Sequence, residues 1–106
     1  MYHQKLRREF VKLLTKTIKD KLLKNNNIED QLNLKPVVKF FNPVGNGTWY
    51  LTSMDKDGIG FGLCDLGFPE LGYVSIPELQ DVEVGFGLGI ERDLLFKADK
   101  PLRDMY

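Results

Sequence analysis

The sequence predicts an α+β fold: an N-terminal amphipathic helix packed on an antiparallel meander of four or five strands, with a short second helix. Three observations carry this. Apolar residues recur every four positions between residues 2 and 24. From Pro36 the apolar period drops to two. The extended stretches are separated by clusters of glycine, proline, asparagine and aspartate, the residues that tolerate turns.

The helix rests on Leu6, Phe10, Leu14, Ile18 and Leu22, with Val11, Leu13 and Leu23 widening the stripe. Lys5, Arg8, Lys12, Lys16 and Lys19 fall on the other side. Asp20 and Lys24 stand four apart, a spacing that favours an ion pair. Asn25-Asn26-Asn27 then ends the helix, since asparagine tolerates left-handed backbone. Pro36–Phe41 is the first expected strand, with Val38 and Phe40 sharing a face. Asn42 to Gly47 is a turn, and Thr48–Met54 a second strand with Trp49 and Leu51 on one face. Asp55-Lys56-Asp57-Gly58 closes a hairpin into Ile59–Asp65. Gly67-Phe68-Pro69-Glu70 turns into Leu71–Ser75. Ser75-Ile76-Pro77-Glu78 is a capping box with proline in the first turn, opening a short helix over Ile76–Asp81. Gly85 to Gly89 is expected as a flexible link and Asp93–Lys97 as a last strand.

A chain of 106 residues is about the size of one domain and long enough for one core. Hydrophobic residues at 42% and charged ones at 28% argue against disorder. The lone Cys64 cannot form an internal disulfide, which points to the reducing cytoplasm. No apolar run is long enough to span a bilayer, and the N-terminus lacks the apolar block of a signal peptide. The net charge of zero hides a division. Residues 1–24 hold eight bases and two acids, so +6; the rest hold seven bases and thirteen acids, so −6.

The motifs that suggest chemistry fall short of it. A calcium loop opening at Asp55 needs a glutamate at its twelfth position, where Leu66 stands. Gly60-Phe61-Gly62-Leu63 has the look of an RNA-recognition strand, but Ile59 replaces the basic residue and acids flank it. Its alternation puts Gly58, Gly60, Gly62 and Cys64 on one face, a strip on which the N-terminal helix could pack closely. Gly85-Phe86-Gly87-Leu88-Gly89 lacks the strand and long helix of a nucleotide fingerprint. Cys64 and His3 are the one thiol–imidazole pair, too few ligands for zinc; Cys64 is expected to be buried and inert. Asp65, Glu70, Glu91 and Asp93 are the candidate acids for acid–base work, and Glu91-Arg92-Asp93 could form a local ion pair. No cofactor or metal site is indicated.

Pro36-Val37-Val38-Lys39-Phe40-Phe41, Gly47-Thr48-Trp49-Tyr50-Leu51-Thr52, Gly60 to Ser75, Ile90-Glu91-Arg92-Asp93-Leu94 and Lys100-Pro101-Leu102 together carry a resemblance. The stretch from Val37 to Leu102 resembles domain-of-unknown-function family 2958. That resemblance implies a small bacterial accessory protein of plasmids, conjugative elements or phages. It implies no catalytic residue. It marks Asp65, Phe68, Glu70, Tyr73, Glu91, Arg92 and Asp93 as polar and aromatic positions on loops, where binding residues concentrate.

The expected function is a non-enzymatic macromolecule-binding accessory or anti-defence factor of a mobile element. Its acidic face would meet a basic protein, such as a nucleic-acid-processing enzyme. The alternative is nucleic-acid binding through Arg8, Lys12, Lys16 and Lys19 of the basic helix. A second alternative is a small hydrolase using Asp65 with Glu70 or Glu91.

Overall fold

A computed structural model describes residues 12–106 and shows an α+β protein. The part of the expected helix before Lys12 lies outside the described residues, with His3, Leu6, Arg8 and Phe10. On the described side the helix is shorter than expected. Helix α1 spans Lys16–Asn25, and residues 12–15 precede it without helical structure. Thr15 decides that boundary: its backbone is extended and its hydroxyl accepts from the amide of Ile18 at 3.1 Å. A threonine in this role satisfies one of the orphan amides of a first turn. Leu13 is therefore outside the helix yet fully buried, and its amide donates to Gln80 Oε1 at 3.0 Å.

The far end of α1 also differs from expectation. Asn26 is right-handed, and the chain leaves through tight bonds from Asn26, Asn27 and Ile28 back to Leu23, Lys24 and Asn25. Asp20 pairs with Lys16, at 2.8 Å, rather than with Lys24.

Five strands form one antiparallel sheet: β1 (Val38–Phe41), β2 (Thr48–Met54), β3 (Ile59–Asp65), β4 (Pro69–Ser75) and β7 (Glu91–Arg92). Their spatial order is β4-β3-β2-β1-β7. The first four are a meander, and β7 returns to cover the free edge of β1. β1 starts two residues later than expected. β4 starts two residues earlier, because Pro69 pairs with Asp65 and needs no amide bond as the first residue of an edge strand. Helix α2, Ile76–Asp81, follows with Ser75 as cap, accepting from Glu78 at 3.3 Å.

Two C-terminal expectations are corrected. Gly85 to Gly89 is not a link: β5 (Glu83–Gly85) and β6 (Leu88–Gly89) pair as a small hairpin. Its two-residue turn, Phe86-Gly87, has positive φ at both positions, 55° and 73°. That hand matches the twist of the strands it joins. The last strand lies at Glu91–Arg92 rather than Asp93–Lys97. Asp93 ends it, because its carboxylate accepts from the Leu95 amide at 3.0 Å and its carbonyl from that of Phe96 at 3.3 Å.

Paired residues share a face, so the register sorts the sheet. The inner face carries Val38, Phe40, Trp49 and Leu51, all buried, with Gly60, Gly62 and Cys64 of β3. Leu13, Leu22 and Ile76 close the core over it, with Leu14, Ile18 and Leu23 packed at its border. The alternation in β2 breaks once. Leu51 faces Gly62 and Ser53 faces Phe61, so Thr52 is an extra residue, a bulge. Met54, not Ser53, thereby returns to the core.

The glycine face of β3 is the core face, but α1 rests chiefly on β2. What approaches the glycines is nearer by. A Cβ on Gly60 would stand 2.8 Å from Leu51 Cδ1 and 3.3 Å from Ile76 Cδ1. One on Gly62 would run into the Tyr50 carbonyl oxygen, with Leu51 Cα at 2.8 Å.

Gly62→Ala should therefore cost about 3 kcal/mol or more, since backbone must move. Gly72→Ala, where a Cβ meets nothing within 4 Å, should stay within about 1 kcal/mol of the parent. Leu22→Ala should cost about 2–5 kcal/mol. Urea unfolding of the three variants checks the ranking.

Candidate functional site

The outer face of the sheet is not a solvated polar surface. Three rows of paired residues cross it. The first is Pro69, Asp65, Thr48, Phe41 and Glu91; the second is Leu71, Leu63, Tyr50 and Lys39; the third is Tyr73, Phe61 and Ser53. In the middle row Lys39 sits over the Tyr50 ring, 5.5 Å from its centroid, and reaches Asp93 at 3.6 Å. Phe96 tilts against Tyr50 at 5.9 Å. In the third row the Phe61 and Tyr73 rings tilt together at 5.1 Å. Tyr73 is nonetheless 75% exposed, and Phe68, at the far tip of the β3–β4 hairpin, 70%.

Apart from Asp65 on β3, the expected site residues divide between the two edges of this sheet. Glu70 and Tyr73 lie on β4, with Phe68 just before it. Glu91 and Arg92 lie on β7, with Asp93 just after it. Four strand spacings separate the edges, about 19 Å. The carboxylates do not converge. Asp65 pairs with Pro69 on the outer face, while Glu70 pairs with Cys64 on the inner one. Asp65 and Glu91 share a row but stand three spacings apart, about 14 Å. Asp65 also caps its own turn, accepting from Gly67 at 3.1 Å. The triplet at β7 makes distant contacts instead of the local ion pair expected. Arg92 donates to the Lys12 carbonyl at 2.6 Å, and Asp93 meets Lys39.

Among the described residues, clefts flank the sheet. One, of about 410 Å³, lies between residues 26–32 and the Ser53–Phe61–Tyr73 row. A polar network holds that segment in place. Thr52 Oγ1 is 2.6 Å from Gln31 Oε1; Gln31 Nε2 donates to the carbonyls of Asn25 and Ile28 at 2.7 Å; Asn25 Nδ2 donates to the Thr52 carbonyl at 3.0 Å. The second cleft, of about 320 Å³, is lined by Lys12, Lys19 and Lys56 over Leu14, Met54, Ile76 and Pro77. Lys16 is outside it, held above its ordinary value of 10.5 by its hydrogen bond with Asp20. Arg8 is outside the described residues.

Sequence reasoning missed two features. Glu29, Asp30 and Gln31 carried no expectation, yet they wall a cleft; no apolar periodicity announces such a wall. Phe86 read as part of a flexible link, yet it is 85% exposed at the tip of a formed turn. The Asp55 carboxylate accepts from Asp57 and Ile59 at 2.9 and 3.0 Å, the work of a hairpin cap. Among the described residues no three His, Cys, Asp or Glu side chains gather as metal ligands. None of the described helices is long and apolar enough to cross a membrane.

A family model described as "Protein of unknown function (DUF2958)" matches residues 13–106. The chain belongs to this family. No curated protein and no solved structure matches it. The DUF2958 match begins before α1, so that helix lies within the family's span, beyond the stretch from Val37 to Leu102 read from the sequence.

Cys64 is half-buried rather than fully enclosed, because its end of β3 lies beside Glu70. Burial first, and the Glu70 charge second, push its thiol above the ordinary 9.0. Thiolate is the reactive form, so alkylation at neutral pH should be slower than for a free thiol, and Glu70→Gln should speed it. The same shift makes stability fall once pH rises past the unfolded thiol's value, because only the unfolded chain then releases the proton. Phe86→Asn should raise unfolding free energy by up to about 1 kcal/mol, since asparagine before glycine suits this turn and little burial is lost. Thermal unfolding of that variant measures it.

Proposed function

We propose that this DUF2958 protein is a non-enzymatic binding module that takes a protein partner on the outer face of its sheet. The observation that carries the reading is the exposed aromatic edge strand: Tyr73 tilted against Phe61, with Phe68 exposed at the tip of the same hairpin. Exposed rings on a rigid strand lose little entropy on binding and are the usual anchors of interfaces. Glu29, Asp30 and Asp65 border this edge, so the partner surface is basic. Nucleic-acid-processing enzymes present such surfaces. The reading includes a cytoplasmic setting, supported by the lone free thiol, and an accessory role on a mobile genetic element. It assigns no catalytic residue, in keeping with the divergence of Asp65, Glu70 and Glu91.

One observation favours a second reading. Lys12, Lys19 and Lys56 line one groove and could follow a phosphate backbone.

A pull-down from nuclease-treated lysate of the host separates the two. The partner should be retained by the parent chain and lost with Tyr73→Ser or Phe68→Ser, both exposed enough to leave the fold intact. If these variants retain it, the aromatic edge is not the interface. The second reading instead requires oligonucleotide binding that weakens steeply between about 50 and 200 mM salt and is lost on changing Lys12 and Lys19 to glutamine.

A further inference from the structure

We propose that the cleft between residues 26–32 and the Ser53–Phe61–Tyr73 row binds the guanidinium of an arginine side chain presented by the protein partner. This rests on the binding reading above and names the chemistry that one part of that surface selects.

The cleft has the volume of a small-ligand site, about 410 Å³. One wall is aromatic, formed by Phe61 and Tyr73. Rings of this kind attract a cation laid over their faces, and the same sheet already does this once, with Lys39 over Tyr50. The opposite wall carries Glu29 and Asp30. Asp30 already holds a guanidinium of this chain, that of Arg103 at 3.5 Å. Glu29 has no ion-pair partner among the described residues. A third group points the same way. Ser53 is only 2% exposed, borders the cleft, and its hydroxyl makes no hydrogen bond among the described residues. No fully buried side-chain oxygen or nitrogen among the described residues lacks a partner, so this hydroxyl is open to the cleft, where its oxygen can accept from a donor.

A cation that can stack on a ring while donating in plane to both a carboxylate and a hydroxyl is a guanidinium. Its planar fork of five donors suits that arrangement better than the compact charge of an ammonium. The two carboxylates disfavour a phosphate-bearing ligand. They are held at the site because Gln31 is locked to Thr52, Asn25 and Ile28, which fixes the wall before any ligand arrives.

The test is an NMR titration of the full chain with N-acetyl-arginine methylamide. Matched titrations use the citrulline analogue, a neutral isostere, and the lysine analogue. Arginine should shift amides of Ile28, Glu29, Ser53, Phe61 and Tyr73. Citrulline should bind at least about tenfold more weakly, and lysine more weakly than arginine. Glu29→Gln and Tyr73→Ala should each weaken arginine about fivefold, with the spectrum of the remaining fold unchanged. Equal binding of citrulline or lysine, shifts that map elsewhere, or no shifts at all would overturn the proposal. These outcomes do not depend on the partner. A partner captured through Tyr73 by a chain blind to arginine removes this inference alone. Arginine bound in the cleft, with partner capture indifferent to Tyr73, removes the binding reading alone.

Discussion

The passage of the β2 backbone over Gly62, next to the bulge at Thr52, is the constraint on which the remaining architecture depends. The bulge inserts one residue between Leu51 and Ser53. It turns Met54 toward the core and Ser53 toward the outer face. Without it Ser53 and Met54 would swap sides, since a shift of one residue reverses every face beyond it. Gly62 makes the close approach feasible because it has no Cβ to meet the Tyr50 carbonyl. The Thr52 hydroxyl and carbonyl, displaced from regular pairing, are taken up by Gln31 and Asn25. A sheet irregularity therefore also holds the end of α1 and the segment that follows it.

That coupling explains why the outer face is asymmetric. Near β7 it is covered, with Phe96 on Tyr50 and Asp93 on Lys39. Near β4 it is open: Tyr73 is exposed, and residues 26–32 face Phe61 and Tyr73 across a cleft. The C-terminal turn supports the same wall: Leu102 donates to the Leu34 carbonyl at 2.9 Å, and Arg103 meets Asp30. A rigid wall facing exposed rings gives selectivity to a surface that would otherwise offer only area.

Much of this fold was legible in the sequence. The strands Thr48–Met54 and Ile59–Asp65 and the helix Ile76–Asp81 fall where alternation, turn chemistry and the Ser75 capping box put them. The helix start was not, because Leu13 and Leu14 continue the apolar stripe past Thr15; burial by tertiary contact and burial on a helix face leave the same mark on a sequence. The hairpin at Phe86 was missed because an aromatic residue at positive φ contradicts local preference. The site was less legible still. Tyr73 and Phe68 were marked only by the family resemblance, and pairing register alone shows that Glu70 and Asp65 point to opposite faces. The wall of Glu29 to Gln31 has no periodicity by which to be found.

The placement of β7 sets an order of assembly. β1 to β4 each pair with the strand next in sequence, so their hairpins close short loops and form early. β7 must wait for a contact that spans the whole meander, from Phe40 to Arg92. Arg92 then reaches the Lys12 carbonyl, before α1. A chain emerging from the ribosome can build the meander while the residues after it are still in the exit tunnel, but it cannot cover β1 until Glu91 and Arg92 have emerged. Until then β1 is an open edge, and β7 is the latch that closes it.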